Sequence, residues 1–316
     1  MICLGGDLLK EKIGGVSLNY EYYSGKDFYS DGMIEDVLLD IVKNNSKDKY
    51  DHIIYEKSEW PILYHLSPVR ENIIEWIPFK ENAKVLEIGS GCGAITGKLA
   101  EKSGNVTCVE LSKKRSLINA YRNKEKNNIE IMVGNFQDIE KNLDDDYDYI
   151  LLIGVLEYAA SYIKSNSPYR EFLDIIKKHL STNGKIIVAI ENKYGLKYWA
   201  GCKEDHVSLF YEGIEDYIHT NSVRTFSKKE LISLHESCGL NIQAFYYPYP
   251  DYKLPLQIFS DEYLPKCGDL TNNLLALDND RIVSFDESRV YDSLIRDGMF
   301  QDFSNSFLII SGMEEL

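Results

Sequence analysis

The sequence is short of positive charge, of paired cysteines and of long apolar runs. Its 35 Lys and Arg stand against 50 Asp and Glu, for a formal net charge of -15. Such a chain gains no counterion-release affinity for nucleic acid unless it hides a basic groove, and no basic run is long enough to line one. The same charge disfavours an anionic membrane surface. The densest basic cluster, Lys113-Lys114-Arg115, reads as the solvated start of a helix. The greasiest run, 150–156, is too short to span a bilayer. The opening after Met1 has neither a basic nor a long apolar segment, so no secretory signal is readable. The expectation is a cytoplasmic protein with no nucleic-acid partner and no membrane insertion. The six cysteines are scattered, with no CxxC pair, which excludes a zinc ribbon and argues for reduced, buried thiols rather than a disulfide framework. His, Asp and Glu show no metal-ligand spacing, so no metal site is expected.

What is present is an α/β pattern. Apolar residues make up 44% and charged residues 27%, as in an ordinary folded domain. Short Val/Ile/Leu runs at 85–88, 106–110, 129–133, 149–153 and 185–190 alternate with helical patterns ending near 101 and spanning 112–124 and 169–180. That alternation predicts a parallel sheet covered by helices on both faces. After Ile190 the rhythm breaks into a polar, aromatic stretch. A helix is predicted over 227–236 from Ser227 with Glu230 three places on, and strands over 242–247 and 307–310. The roughly sixty residues between those strands are too many for a plain loop. The predicted organisation is an N-terminal extension over 1–80, helical and rich in Tyr, with helices at 33–43 and after Ser67. A core over 81–247 and 304–316 follows, with a substrate-side insert over 248–303.

The informative motif is Glu87-Ile-Gly-Ser-Gly-Cys-Gly93, where the first strand runs into a helix. Gly89 permits the tight turn, Gly91 lets a ligand approach the backbone, and Gly93 allows close packing. Gly89-x-Gly91-x-x-Ala94 also matches a dinucleotide fingerprint. A phosphate loop is excluded, because Leu99 follows Gly97-Lys98 and Cys92 stands where the leading glycine is needed. Three acid or amide positions favour S-adenosylmethionine (SAM). Glu87 would repel a pyrophosphate but attract the cofactor's ammonium group. Glu110 ends the second strand, where an acid accepts ribose hydroxyls. After the third strand, Asn135 suits the adenine edge and Phe136 its face. Ligands sit at the carboxyl ends of such strands.

At these residues the chain resembles the class I SAM-dependent methyltransferases. The likeness runs through VLEIGSGCG, VTCVEL, VGNFQD, DYDYILLIGVLEYA and LSTNGKIIVAIEN, in that order. A narrower likeness, to methyltransferases found beside glycosyltransferases in bacterial polysaccharide clusters, rests on SEWPILYHLSPVREN, ENKYGLKYWAGCKEDH, YYPYPDYKLP and FSNSFLI. The resemblance implies a Rossmann-like sheet of order 3-2-1-4-5-7-6 with the seventh strand antiparallel. It implies SAM as cofactor and S-adenosylhomocysteine (SAH) as product. The implied cofactor-holding set is Glu87, Gly89, Ser90, Gly91, Cys92, Gly93, Glu110, Leu111, Asn135, Phe136, Gly154 and Val155.

Methyl transfer to a hydroxyl needs positioning, exclusion of water and a base. In methyltransferases of this kind the turn Gly154-Val-Leu-Glu157-Tyr158 borders the methyl group, which makes Glu157 a candidate base; a plain helix-start carboxylate is the alternative. Glu191 follows the fifth strand, and His206, beside Asp205, suits proton transfer at neutral pH; a loop brace and a surface histidine are the alternatives. Tyr20, Tyr29, Tyr158, Asn192 and Tyr198 are candidate substrate contacts, since tyrosine faces suit sugar rings, although plain packing also explains many of the 23 tyrosines. The expected acceptor is a hydroxyl of a saccharide or nucleotide-linked sugar. Alternatives are a peptide or small natural product methylated at N, O or S, a catalytically silent SAM-binding scaffold, and a nicotinamide dehydrogenase. The sequence leaves the oligomeric state open.

Overall fold

The computed structural model describes residues 9–27, 30–273 and 281–313. The chain divides into two compact units, 1–149 and 150–316.

The first unit is built on three parallel strands, β3 (Lys84–Ile88), β4 (Asn105–Glu110) and β5 (Ile129–Val133). Val85, Leu86, Val106, Cys108, Ile129 and Ile131 are buried, because helices cover a parallel sheet on both faces. The helices Thr96–Lys102 and Lys113–Arg122 lie between successive strands in sequence, as right-handed crossovers require.

The N-terminal extension is not the separate helical element that the sequence suggests. It opens with a hairpin, β1 (Lys10–Ile13) and β2 (Val16–Asn19), and β2 pairs parallel to β5. The strand order in this unit is β1-β2-β5-β4-β3. Gly14 and Gly15 make the turn so close to the backbone that a Cβ would lie 2.1 Å from the Lys124 oxygen or 2.2 Å from that of Lys126. Helix Ile34–Asn44 forms as expected. Helices Tyr50–Lys57 and Trp60–Leu66 were not anticipated, and the stretch after Ser67 is only a short turn of helix followed by Asn72–Glu75. Leu38, Val42, Ile62 and Leu66 pack with Ile118 in one buried cluster. Each such side chain stabilises the fold by about 1.5–3 kcal/mol relative to exposure.

The basic helix start at Lys113 is not simply solvated. Asp27 accepts the backbone N–H of Lys113 at 2.8 Å and of Lys114 at 3.3 Å, and Ser112 caps the same turn. Arg115 is largely buried, with Nε 2.8 Å from Glu35 and Nη2 2.6 Å from Asp31. Acids of the extension thus supply the negative charge that a helix N-terminus favours, which the helix's own first turn lacks.

The second unit holds most of β6 (Tyr147–Ile153), with β7 (Leu180–Glu191), β8 (Asn241–Tyr249), β9 (Gln257–Ser260) and β10 (Ser306–Gly312), in the order β6-β7-β10-β8-β9. β10 runs antiparallel to both β7 and β8. The expected α/β architecture is therefore present, with the 3-2-1 order in the first unit and 4-5-7-6 in the second. Helix Lys228–Ser237 starts at the predicted capping box, with both Ser227 and Glu230 engaged. The insert contributes β9 and the helix Glu287–Arg296. Tyr247, Phe259, Tyr291, Phe300 and Phe307 form a buried aromatic cluster, several at edge-to-face angles. The tyrosine-rich 246–252 stretch owes much of its composition to this packing: Tyr247, Tyr249 and Tyr252 are all buried.

Candidate functional site

In the first unit the turn after β3 is shaped by three glycines with positive φ, at 69° for Gly89, 53° for Gly91 and 73° for Gly93. The Gly89 N–H donates to the Val109 carbonyl at 2.8 Å, which ties the turn to β4. The two later glycines differ. A Cβ on Gly93 would meet Asn119 Oδ1 at 2.3 Å, whereas a Cβ on Gly91 would meet open space. The turn is therefore packed on one side and free on the other at Gly91, as a backbone that receives a ligand must be.

Glu110, at the end of β4, holds this turn. Its Oε2 accepts the Gly91 N–H at 2.8 Å and its Oε1 the Ser112 N–H at 2.9 Å. Each oxygen keeps a second lone pair, so the carboxylate can brace the loop and still accept ribose hydroxyls. Burial raises its pKa, against the pull of these hydrogen bonds. Glu87 is also buried. It accepts the Thr96 hydroxyl at 2.6 Å, and burial lifts its carboxyl to about 7 despite that bond and one from Cys108. A carboxyl so placed is held ready for a cation. Burial pushes the Cys92 thiol up to about 12, so it is inert packing at the turn, and Ser90, two residues before it, is also buried. Leu111, Asn135 and Phe136 are half-buried, and the Asn135 Oδ1 caps its own helix at Gln137 N, 3.2 Å away. An open glycine, two buried carboxylates and an amide at successive strand ends fit the charged and hydroxyl groups of SAM.

Gly154 and Val155 belong to the second unit and are half-buried. Gly154 has φ 69°, and a Cβ there would meet the Tyr252 hydroxyl at 2.7 Å. Just beyond, one turn of 3-10 helix, Leu156–Tyr158, carries Glu157. Glu191 ends β7, opposite Ser306 of β10. His206 lies in the following loop, where its backbone N–H and that of Val207 donate to Glu204 at 2.7 and 2.8 Å.

These three candidate catalytic residues converge: one ligand-type atom from each lies within 4.8 Å of the other two. Spacing along the chain does not reveal that cluster, whose donor atoms are of the types that can hold a metal ion. The His206 ring is held at both nitrogens, by the Tyr158 hydroxyl at Nδ1 (2.9 Å) and by Glu191 at Nε2 (3.3 Å). Burial pulls the imidazole pKa down, but the charge and hydrogen bond of Glu191 outweigh it and carry it to about 9. Burial, then the charge of Glu191, raises Glu157. Glu191 itself is held well below the carboxylate range, because Lys253, His206 and Lys197 outweigh its burial.

Sequence reasoning missed the cations of this site. Lys253 Nζ lies 2.5 Å from Glu191 Oε1 and 3.3 Å from Asp205, while Lys197 Nζ lies 2.6 Å from Asp205 and 2.7 Å from Asp251. Their signal was available: charged residues inside the two aromatic blocks KYGLKYW and YYPYPDYKLP. Tyr198 is buried and donates to Asp205 at 2.9 Å. Asn192 is bonded to backbone on both sides of its amide. It is fully buried, gives its amide hydrogens to the carbonyls of Asp302 and Ser304, and accepts the Tyr194 N–H, so it braces the backbone. Tyr20, in the first unit, donates to Glu11 at 2.8 Å. Tyr29 lies outside the described residues. The thiols of Cys92, Cys108, Cys202 and Cys238 are free and buried, whereas Cys267 is exposed. Among the described residues no helix is long and apolar enough to cross a membrane.

Comparison with known proteins agrees with the cradle. Residues 86–186, from β3 into β7, match the family model described as a methyltransferase domain. The chain is 26% identical over 162 residues to the ubiquinone biosynthesis O-methyltransferase of Rickettsia akari (strain Hartford), covering 49% of this chain and 61% of that protein. It is 31% identical over 115 residues to the ribosomal RNA small subunit methyltransferase A of Borreliella burgdorferi (strain ZS7), covering 36% of each. It thus spans less than two thirds of either relative. Among solved structures, the complex of the Haloferax volcanii Trm112 methyltransferase activator with a methyltransferase aligns at a TM-score of 0.49 and 16% identity, over 86% of this chain and 99% of that one. Residues 86–186 thus match a methyltransferase domain, and the strands that carry them belong to an α/β sheet of the Rossmann-like kind.

Proposed function

We propose that this chain transfers the methyl group of SAM to a hydroxyl of a saccharide or nucleotide-linked sugar. The observation that carries the reading is Glu157, a buried carboxylate whose Oε2 has no hydrogen-bond partner among the described residues. Such an oxygen is costly unless a ligand completes it, and an acceptor hydroxyl does so. In the reaction the hydroxyl gives its proton to Glu157, its oxygen forms the new bond to the methyl carbon, and the carbon–sulfur bond breaks to leave neutral SAH. Glu191, His206 and Tyr158 orient the acceptor side, and the 248–303 insert contributes Asp251 and Lys253 as substrate-side groups. The Rickettsia relative is by name an O-methyltransferase, which supports a hydroxyl acceptor. The Borreliella relative acts on ribosomal RNA, but the net charge of -15 speaks against that substrate here. The free, buried thiols suit a cytoplasmic protein.

The test is transfer of labelled methyl from SAM into fractionated cell extract. Label in the glycan or nucleotide-sugar fraction, abolished by Glu157→Gln at unchanged SAH affinity, is the expected result. Label confined to peptides or other small molecules replaces the acceptor. No label in any fraction favours a silent SAM-binding module.

A further inference from the structure

We propose that Glu157, Glu191 and His206 form a binding site for one divalent ion of Mn2+ or Zn2+ character. Two carboxylates and an imidazole make a mixed oxygen and nitrogen donor set, which suits these ions better than Ca2+. Three protein ligands leave coordination positions open for an oxygen of another molecule.

The geometry is close to what an ion requires. In an octahedral site, donors about 2.1 Å from the metal lie about 3 Å apart when adjacent and about 4.2 Å apart when opposite, whereas a tetrahedral Zn2+ site spaces every pair about 3.4 Å apart. His206 Nε2 and Glu191 Oε2 are 3.3 Å apart, an adjacent pair. The remaining separations, at most 4.8 Å, need a closure of about 0.6 Å to reach the opposite spacing. An ion would replace the hydrogen that His206 and Glu191 now share.

A second observation is independent of that clustering. Glu157 is 1% exposed, and its Oε2 is buried without a hydrogen-bond partner among the described residues. The ligands are already oriented from behind. Tyr158 holds His206 Nδ1 and so presents Nε2, while Lys253 holds Glu191 Oε1 and so presents Oε2. Outer partners of this kind fix the donor atoms of metal sites. Glu204 in turn pins the loop that carries His206.

An open position here would take the acceptor hydroxyl of the preceding section, and Glu157 would then bind the ion through one oxygen and receive the proton on the other. Ion binding itself is separable from methyl transfer, and so is its test. The full-length chain, stripped with chelator, is titrated with Mn2+ while the free-ion electron spin resonance signal is followed. The expected result is loss of signal for one Mn2+ per chain, reversed by Zn2+. Affinity should fall at least tenfold in Glu157→Gln and in Glu191→Gln, with SAH affinity unchanged as the control for folding. Glu157→Gln keeps the side chain's volume and removes no hydrogen bond at Oε2, so it guards against a misfolded Glu191 variant. Neither Mn2+ nor Zn2+ bound at one equivalent, or parent-like binding in Glu157→Gln, overturns the proposal. Full methyl transfer by the stripped chain overturns the ion's part in the reaction and leaves the hydroxyl-acceptor reading intact; an ion bound without any transfer does the reverse.

Discussion

Burial lifts the Glu87 carboxyl from 4.5 to about 7, and SAM binding should therefore depend on pH in a way that one substitution removes. Ionising this group inside the folded chain costs roughly 3 kcal/mol more than in water, from the size of the shift. The cofactor's ammonium group favours the ionised form. If only that form binds, apparent affinity follows the ionised fraction and rises roughly tenfold between pH 6 and pH 8, falling away as pH drops through about 7. Calorimetric titration with SAH at pH 6, 7 and 8 measures this directly. Glu87→Gln keeps the volume and can still accept from Thr96, so its profile should be flatter by that factor. The ligand's own amino group titrates equally in both experiments and cancels in the ratio. The ligand-free protein should show the converse. A raised carboxyl pKa contributes stability that is fully present below about 4.5 and is lost as pH rises through about 7. Relative to Glu87→Gln, the parent should lose roughly 3 kcal/mol across that window. Parallel pH profiles for parent and variant would refute the ammonium contact.

Two further outcomes follow from the same cradle. Glu110→Gln replaces one accepting oxygen with a donor facing either the Gly91 or the Ser112 N–H. It should weaken SAH binding by about 1.5–3 kcal/mol, the worth of a hydrogen bond to a charged group; an unchanged dissociation constant would show that this carboxylate neither shapes the loop nor holds the ribose. Gly93→Ala forces a Cβ to within 2.3 Å of Asn119 Oδ1 at φ 73°. It should destabilise the chain by about 1–3 kcal/mol in denaturant unfolding, and a neutral result would mean the turn is looser than described.

Much of the core was legible because its signals are local. Val85, Leu86 and Ile88 form an apolar run closed by glycines, and Ser227 with Glu230 marks a helix start within four residues. Glu87 and Glu110 stand at strand ends that the pattern itself locates. The hairpin Lys10–Ile13 and Val16–Asn19 was not legible. Its four-residue strands are too short to show a period, and its place depends on β5, more than a hundred residues away. The ion pairs of Lys197 and Lys253 were hidden for a related reason. Both lysines lie outside strands, and only tertiary structure brings their acids within reach. The carbonyl partners of Asn192 were hidden as well, because an amide at a strand end looks the same in sequence whatever it bonds.

The hairpin bears on how the protein can be cut. Without residues 10–19, β5 would present a bare row of buried-type backbone groups, a template for strands of other molecules. In the whole chain the outermost strand of this unit is instead β1, four residues long and reading Lys-Glu-Lys-Ile, with its first three side chains exposed. Short, charged strands of that sort resist edge-to-edge association. A fragment trimmed to the boundaries of the methyltransferase match would lose this guard, together with the acids that balance Lys113–Arg115. Insolubility of that fragment would then reflect an unprotected sheet margin rather than a defect in the cofactor-binding core.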